Sequence, residues 1–217
     1  MESYVLSKSF GGGVESSEKV MAVAEMFGLG ADHGREVKVL EDCEISIGAG
    51  QVVYVTGASG AGKTLILRLL KEKMEGVLDL DEMEIPGGKA LVDCFAGELD
   101  EALKWLSLAG LSDAFAILRK PGELSEGQRY RFGLALALAK RPKVVMIDEF
   151  CAALDRVTAA VVAHNVRKFA DRFGTTFVLA TSHDDLLEDL EPEVVVVKQY
   201  GSGCEVYYPA RDKISKF

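Results

Sequence analysis

The stretch "QVVYVTGASGAGKT" (51–64) constrains the chain more than any other. Its first six residues are mostly apolar and rich in β-branched types, the pattern of a strand buried on both faces. A glycine-rich loop closes that strand, and the amphipathic pattern over 63–74 predicts a helix. The pattern G-x-x-x-x-G-K-[ST] in this strand, loop and helix setting describes a phosphate cradle. Glycines 57, 60 and 62 let successive backbone N–H groups face one anion, and the helix start adds its positive dipole end. The expected nucleotide contacts are Gly57, Ala58, Ser59, Gly60, Ala61, Gly62, Lys63, Thr64 and Leu65. Lys63 is suited to neutralise β- and γ-phosphate charge, and the Thr64 hydroxyl to ligate Mg²⁺.

Similar apolar runs recur at 89–93, 143–148, 176–181 and 193–198, separated by helical patterns at 98–109, 126–140 and 156–172. Alternating strands and helices imply an α/β chain with a mainly parallel sheet covered on both faces. Residues 36–47 and 204–208 alternate apolar with polar, so antiparallel strands are expected at the sheet edge. The chain reads as one domain over 1–217, with a short helical subdomain at about 95–140 and a flexible N-terminal stretch at 1–20.

Composition narrows the function classes. The balance of 25 Lys plus Arg against 34 Asp plus Glu gives a net charge of −9. Such a surface repels a phosphate backbone and disfavours a general nucleic-acid coat. Cys43, Cys94, Cys151 and Cys204 are widely spaced with no C-x-x-C pair, so four reduced thiols in a cytoplasmic protein are expected. The N-terminus lacks the basic and apolar regions of a signal peptide. The most apolar segment, "FGLALALA", is far too short to span a bilayer, so a soluble chain without membrane insertion is expected.

"KVVMIDEF" (143–150) supplies acids where a metal–nucleotide site needs them. Four apolar residues carry Asp148 to the C-terminal end of a strand, where ligands of open α/β sheets bind. Asp148 is suited to hold Mg²⁺ together with Thr64. Glu149, one residue further on, is placed to polarise a water for attack on the γ-phosphate.

"LSEGQ" (124–128) raises a separate question. Ser125 and Gln128 form the S-x-x-Q capping box of the helix that follows. Capping does not explain Gly127, which in a first helical turn costs up to about 1 kcal/mol relative to Ala. A helix start free of side chains suits a phosphate that approaches closely.

"LSEGQ", ending 20 residues before Asp148, then "CAALD" (151–155) and "TSHDD" with His183, resembles the ABC ATPase family in motif order and spacing. The family signature LSGGQ appears here with Glu126 in place of its first glycine. The resemblance runs from about residue 36 to 200. It implies a P-loop NTPase fold with an antiparallel β edge subdomain and a reduced helical subdomain. It also implies that Ser125 and Gly127 of one protomer cover the γ-phosphate held by the phosphate loop of another. By the same resemblance Asp155 matches the acid that lies across the dimer interface, His183 the switch histidine that acts on the γ-phosphate, and Phe27 the aromatic that stacks on adenine.

Two departures from the family stand out. The glutamines lie at 51, 128 and 199, and none falls between the phosphate loop and the signature, where the family's Q-loop glutamine belongs. Asp93 or Cys94 is expected in its place. Only 59 residues separate Thr64 from Leu124, so the helical arm is short. That combination resembles the ATPase half of ABC–acetyltransferase fusion proteins, although no acetyltransferase-like segment is present. The expected function is that of a soluble ABC-type ATPase with ATP and Mg²⁺ as cofactors, an ATP-dependent homodimer, and an unidentified effector protein or nucleic acid as partner. The alternatives are the ATP-binding subunit of a membrane transporter and a nucleotide-gated scaffold with little turnover.

Overall fold

The computed structural model describes residues 1–11, 17–26, 36–182 and 185–209. Strands β1 (Glu2–Gly11) and β2 (Glu36–Ile47) pair antiparallel as a two-stranded ribbon, with helix α1 (Glu18–Met26) between them in sequence. Residues 2–11, inside the stretch expected to be flexible, thus form a strand. The chain continues through β3 (Val52–Thr56), α2 (Lys63–Lys73), β4 (Val77–Asp79), α3 (Leu99–Leu108), α4 (Ala114–Ile117) and α5 (Glu126–Ala139). It ends with β5 (Val144–Ile147), α6 (Arg156–Phe173), β6 (Thr176–Ala180), α7 (Leu187–Leu190), β7 (Val194–Lys198) and β8 (Cys204–Tyr207).

Six strands form the main sheet in the order β4-β5-β6-β3-β7-β8, parallel except for the β7–β8 hairpin. Period-two alternation within β3 splits the core between the two faces. Val52 and Tyr54 face Trp105, Phe132, Phe169 and Phe177, under helices α3, α5 and α6. Val53 and Val55 face Ile66 and Leu70 of α2, together with Tyr4, Leu6 and Ile45 of the ribbon. Both faces of β3, β5 and β6 are covered, which is why their sequences are continuous apolar runs.

Two expectations need correction. Residues 89–93 form no strand: Leu91–Cys94 is a 3₁₀ turn. The place beside β5 belongs to β4, whose three residues pair parallel with it. Nor are all four cysteines reduced, because Cys43 of β2 and Cys204 of β8 form a disulfide, leaving Cys94 and Cys151 as free thiols. That bridge ties the ribbon to the edge of the main sheet, assisted by a hydrogen bond from Glu41 N–H to the Ser202 carbonyl.

Candidate nucleotide site

The loop after β3 enters α2 through Gly62, its N-cap, in a left-handed conformation. Gly57 is irreplaceable on steric grounds: at φ 142° an added Cβ would lie 2.1 Å from the Lys198 carbonyl oxygen of the neighbouring strand. Lys63 is buried, and its ammonium donates to the carbonyls of Gly57 (2.8 Å) and Ala58 (3.1 Å), curling back over its own loop. Ala58, Ser59 and Gly60 are exposed in this loop, Ala61 is buried, and Thr64 and Leu65 lie in the first turn of α2.

Asp148 follows β5 directly and meets the first turn of α2 at Thr64. Its Oδ2 accepts from the Thr64 hydroxyl at 2.6 Å and its Oδ1 from the Glu149 N–H at 3.0 Å. A hydroxyl and a carboxylate are hard oxygen donors that suit Mg²⁺, which binds through one or two protein oxygens plus phosphate and water. Among the described residues, no group of three or more His, Cys, Asp or Glu side chains could hold a metal ion. Glu149 is exposed and sits at φ 47°, a left-handed conformation that is strained for a side chain of its kind.

Asp81 is the acid that sequence reasoning missed. It lies two residues past β4, where Leu80 N–H still bonds to the Met146 carbonyl and so carries the chain alongside β5 towards Asp148. Desolvation, then the charge of Asp79 and, more weakly, those of Asp148 and Glu149 hold its carboxyl above the usual range, against a hydrogen bond with the Asp148 backbone that lowers it. The strand register of "VLDLD" against "VVMID" was the available signal, hidden because β4 is so short. Asp93 and Cys94, expected near this point, close the 3₁₀ turn instead, and Cys94 lines a cavity of about 410 Å³ with Phe95, Trp105, Leu136 and Arg141.

The "LSEGQ" segment starts α5 with both halves of the capping box made: Ser125 Oγ accepts from Gln128 N–H and Gln128 Oε1 from Ser125 N–H. Ser125 is exposed, open to a neighbouring molecule. Gly127 has a reason to be glycine that the sequence did not disclose: an added Cβ would meet the Ala153 carbonyl at 3.0 Å and Leu154 at 3.2 Å. Signature and "CAALD" turn are thus packed on each other within one chain. Asp155 ends that turn as N-cap of α6, accepting from Thr158 N–H and from its hydroxyl, and the Thr158 hydroxyl holds its pKa low. Phe27 and His183 lie outside the described residues.

A family model described as "ABC transporter" matches residues 79–152. Among curated proteins, the methionine import ATP-binding protein MetN 1 of Rhodococcus jostii (strain RHA1) is 32% identical, over an alignment covering 82% of this chain and 63% of that protein. The methionine import ATP-binding protein MetN of Myxococcus xanthus (strain DK1622) is 30% identical over 76% and 61%. The chain spans about three fifths of the length of these relatives. Among solved structures, a dimeric post-hydrolysis state of the ATP-binding cassette MJ0796 bound to ADP and Pi superposes with a TM-score of 0.63 at 18% identity, covering 94% of this chain and 97% of that one. A second dimeric structure of MJ0796, a bacterial ABC transporter cassette, gives 0.63 at 19% with the same coverage.

Proposed function

We propose that this nucleotide-binding domain of the ABC ATPase type binds ATP with Mg²⁺, hydrolyses it in a head-to-tail dimer, and serves as the ATP-binding subunit of a membrane transporter. The observation that carries the nucleotide reading is the meeting of Thr64 with Asp148 beside the curled Lys63. Lys63 and the loop N–H groups hold phosphate charge, and Thr64 with Asp148 hold the cation that Mg²⁺ supplies to screen that charge. Glu149 orients and deprotonates water at the open end. The exposed Ser125, with Gly127 behind it, lends the missing wall from a second copy, so ATP joins two surfaces that otherwise repel. Asp155, N-cap of α6 at the end of the turn packed on Gly127, is the acid assigned to that same interface. Sizing by light scattering tests this: Glu149→Gln is expected to be monomeric alone and dimeric with ATP and Mg²⁺, and an unchanged mass would overturn it.

The sequence alone favoured a free-standing soluble ATPase. The curated relatives are named as import ATP-binding proteins, which supports a membrane partner instead. No helix among the described residues is long and apolar enough to cross a membrane, so the spanning part would come from that partner. The short arm also exposes Leu99, Phe115 and Leu118, apolar surface suited to docking. Retention of the wild type by detergent-solubilised membranes, lost in Phe115→Glu with Leu118→Glu, is the expected result.

One observation favours a second reading, a soluble ATPase or nucleotide-gated scaffold. The strand beside β5 ends in Asp79, Asp81 follows two residues later, and no glutamine stands there. The resemblance to the ATPase half of ABC–acetyltransferase fusions accords with it. Phosphate release equal to that of Lys63→Ala would leave only the scaffold.

A further inference from the structure

Lys198 ends β7 with almost no exposed surface (1%). Its ammonium donates to two carbonyls, Gln199 (2.7 Å) and Gly201 (2.6 Å), in the β7–β8 turn. None of the ion pairs among the described residues includes it, and desolvation alone lowers its pKa. A buried cation satisfied only by neutral acceptors is costly unless an anion answers it.

Its place in the fold supplies that anion. Lys198 is pressed against the phosphate loop at both ends: its carbonyl meets Gly57, and its Cε lies 3.7 Å from where a Cβ on Gly62 would stand. Gly62 is the N-cap of α2, the point at which helix dipole and loop N–H groups converge on an anion. The same turn grips the loop from outside, since the Tyr200 hydroxyl donates to the Ser59 carbonyl at 2.9 Å.

We infer that Lys198 is a positioning residue of the nucleotide site, a second ammonium behind the phosphate loop whose missing counter-charge is the bound polyphosphate. The inference rests on the nucleotide reading above. Lys63 acts from inside the loop and Lys198 from beneath it. Tyr200 keeps the loop tip seated on the turn that Lys198 organises.

Charge and scaffolding make different predictions for Lys198→Met, which keeps the length of the side chain and removes its charge. Gln199 and Gly201 are exposed residues of the turn. Without nucleotide the variant is expected to match or exceed the wild type in thermal midpoint, because an unanswered buried charge has gone. Its affinity for Mg²⁺·ATP is expected to fall about tenfold by titration calorimetry, about 1.4 kcal/mol. Affinity for ADP should fall less, and Lys198→Arg should restore part of the loss. A parallel drop in ligand-free stability and affinity would assign Lys198 to the scaffold alone and overturn the inference, as would an affinity within twofold of wild type. Tyr200→Phe checks the outer grip, with a smaller loss expected. Failure of the wild type to bind Mg²⁺·ATP would overturn both the inference and the reading beneath it, whereas failure in the variant comparison alone touches only Lys198.

Discussion

Thr64 and Asp148 stand 84 positions apart in sequence and meet through a 2.6 Å hydrogen bond from the Thr64 hydroxyl to Asp148 Oδ2. The bond links the loop after β3 to the end of β5, two strands away across β6. Under the proposed function it would hold the oxygen donors of Mg²⁺ together in advance, which reduces what binding must order.

Asp148→Asn keeps the shape of this pair and removes the charge. ATP affinity measured with Mg²⁺ is therefore expected to drop about tenfold or more, the scale of one charge-assisted contact. In EDTA the variant and the wild type should bind ATP alike. Equal losses under both conditions would mean that Asp148 acts on the loop and not on the metal.

Glu149 illustrates strain held at a site. Its φ of 47° is comfortable for glycine and unfavourable for Glu. Glu149→Gly is expected to raise unfolding stability by up to about 1 kcal/mol in urea while lowering phosphate release about 100-fold, since the group proposed to act on water is gone. Stability and turnover moving in the same direction would argue against this assignment.

Much of this site was legible because it is local: strand, loop and helix from 51 to 73 sit in one continuous pattern, and Asp148 closes another. What stayed hidden depended on pairing. Residues 89–93 have strand composition, yet Leu91 N–H bonds to the Arg119 carbonyl and no strand partner remains, because β4 holds that place. Gly127 has a packing reason as well, its neighbours Ala153 and Leu154, that the sequence did not show. Cys43 and Cys204 are 161 residues apart, and no spacing rule joins them; only the packing of the ribbon against β8 does.

That long separation gives the disulfide a thermodynamic consequence. Cross-linking a loop of this length restricts the unfolded chain, and removing such a bridge costs about 2–5 kcal/mol. Cys43→Ala with Cys204→Ala is expected to lower stability by that amount in urea, and reductant should lower the wild type to match while leaving the double variant unchanged. An insensitive wild type would refute the bridge.

Arg167 anchors the opposite end of the sheet. It is buried and pairs with Glu193 at 2.9 Å and Asp171 at 2.8 Å. Glu193 in turn accepts from Val52 N–H at the start of β3. Arg167→Ala leaves Glu193 largely buried without its cation, so a loss of about 3–5 kcal/mol is expected. Nucleotide affinity should survive in the folded fraction, because these residues meet the strand ends remote from the phosphate loop. Chemical denaturation paired with calorimetry separates the two quantities.

Cys151 makes stability depend on alkaline pH. Burial pushes its thiol from 9.0 to about 12, although the adjacent Tyr130 hydroxyl, which donates to it, pulls the other way. Between those values the unfolded chain has lost a proton that the folded chain keeps. Stability from this group is therefore complete below about pH 9 and falls as pH rises towards 12, at up to about 1.4 kcal/mol per unit. Tyr130 is raised as well, first by burial and in part through Cys151 itself. Cys151→Ala should thus lose less stability than wild type between pH 7 and pH 10, by about 1 kcal/mol in urea titrations. Identical slopes for the two proteins would show that the thiol ionises as freely in the folded state as in the unfolded chain, contrary to its burial behind α5 and α6.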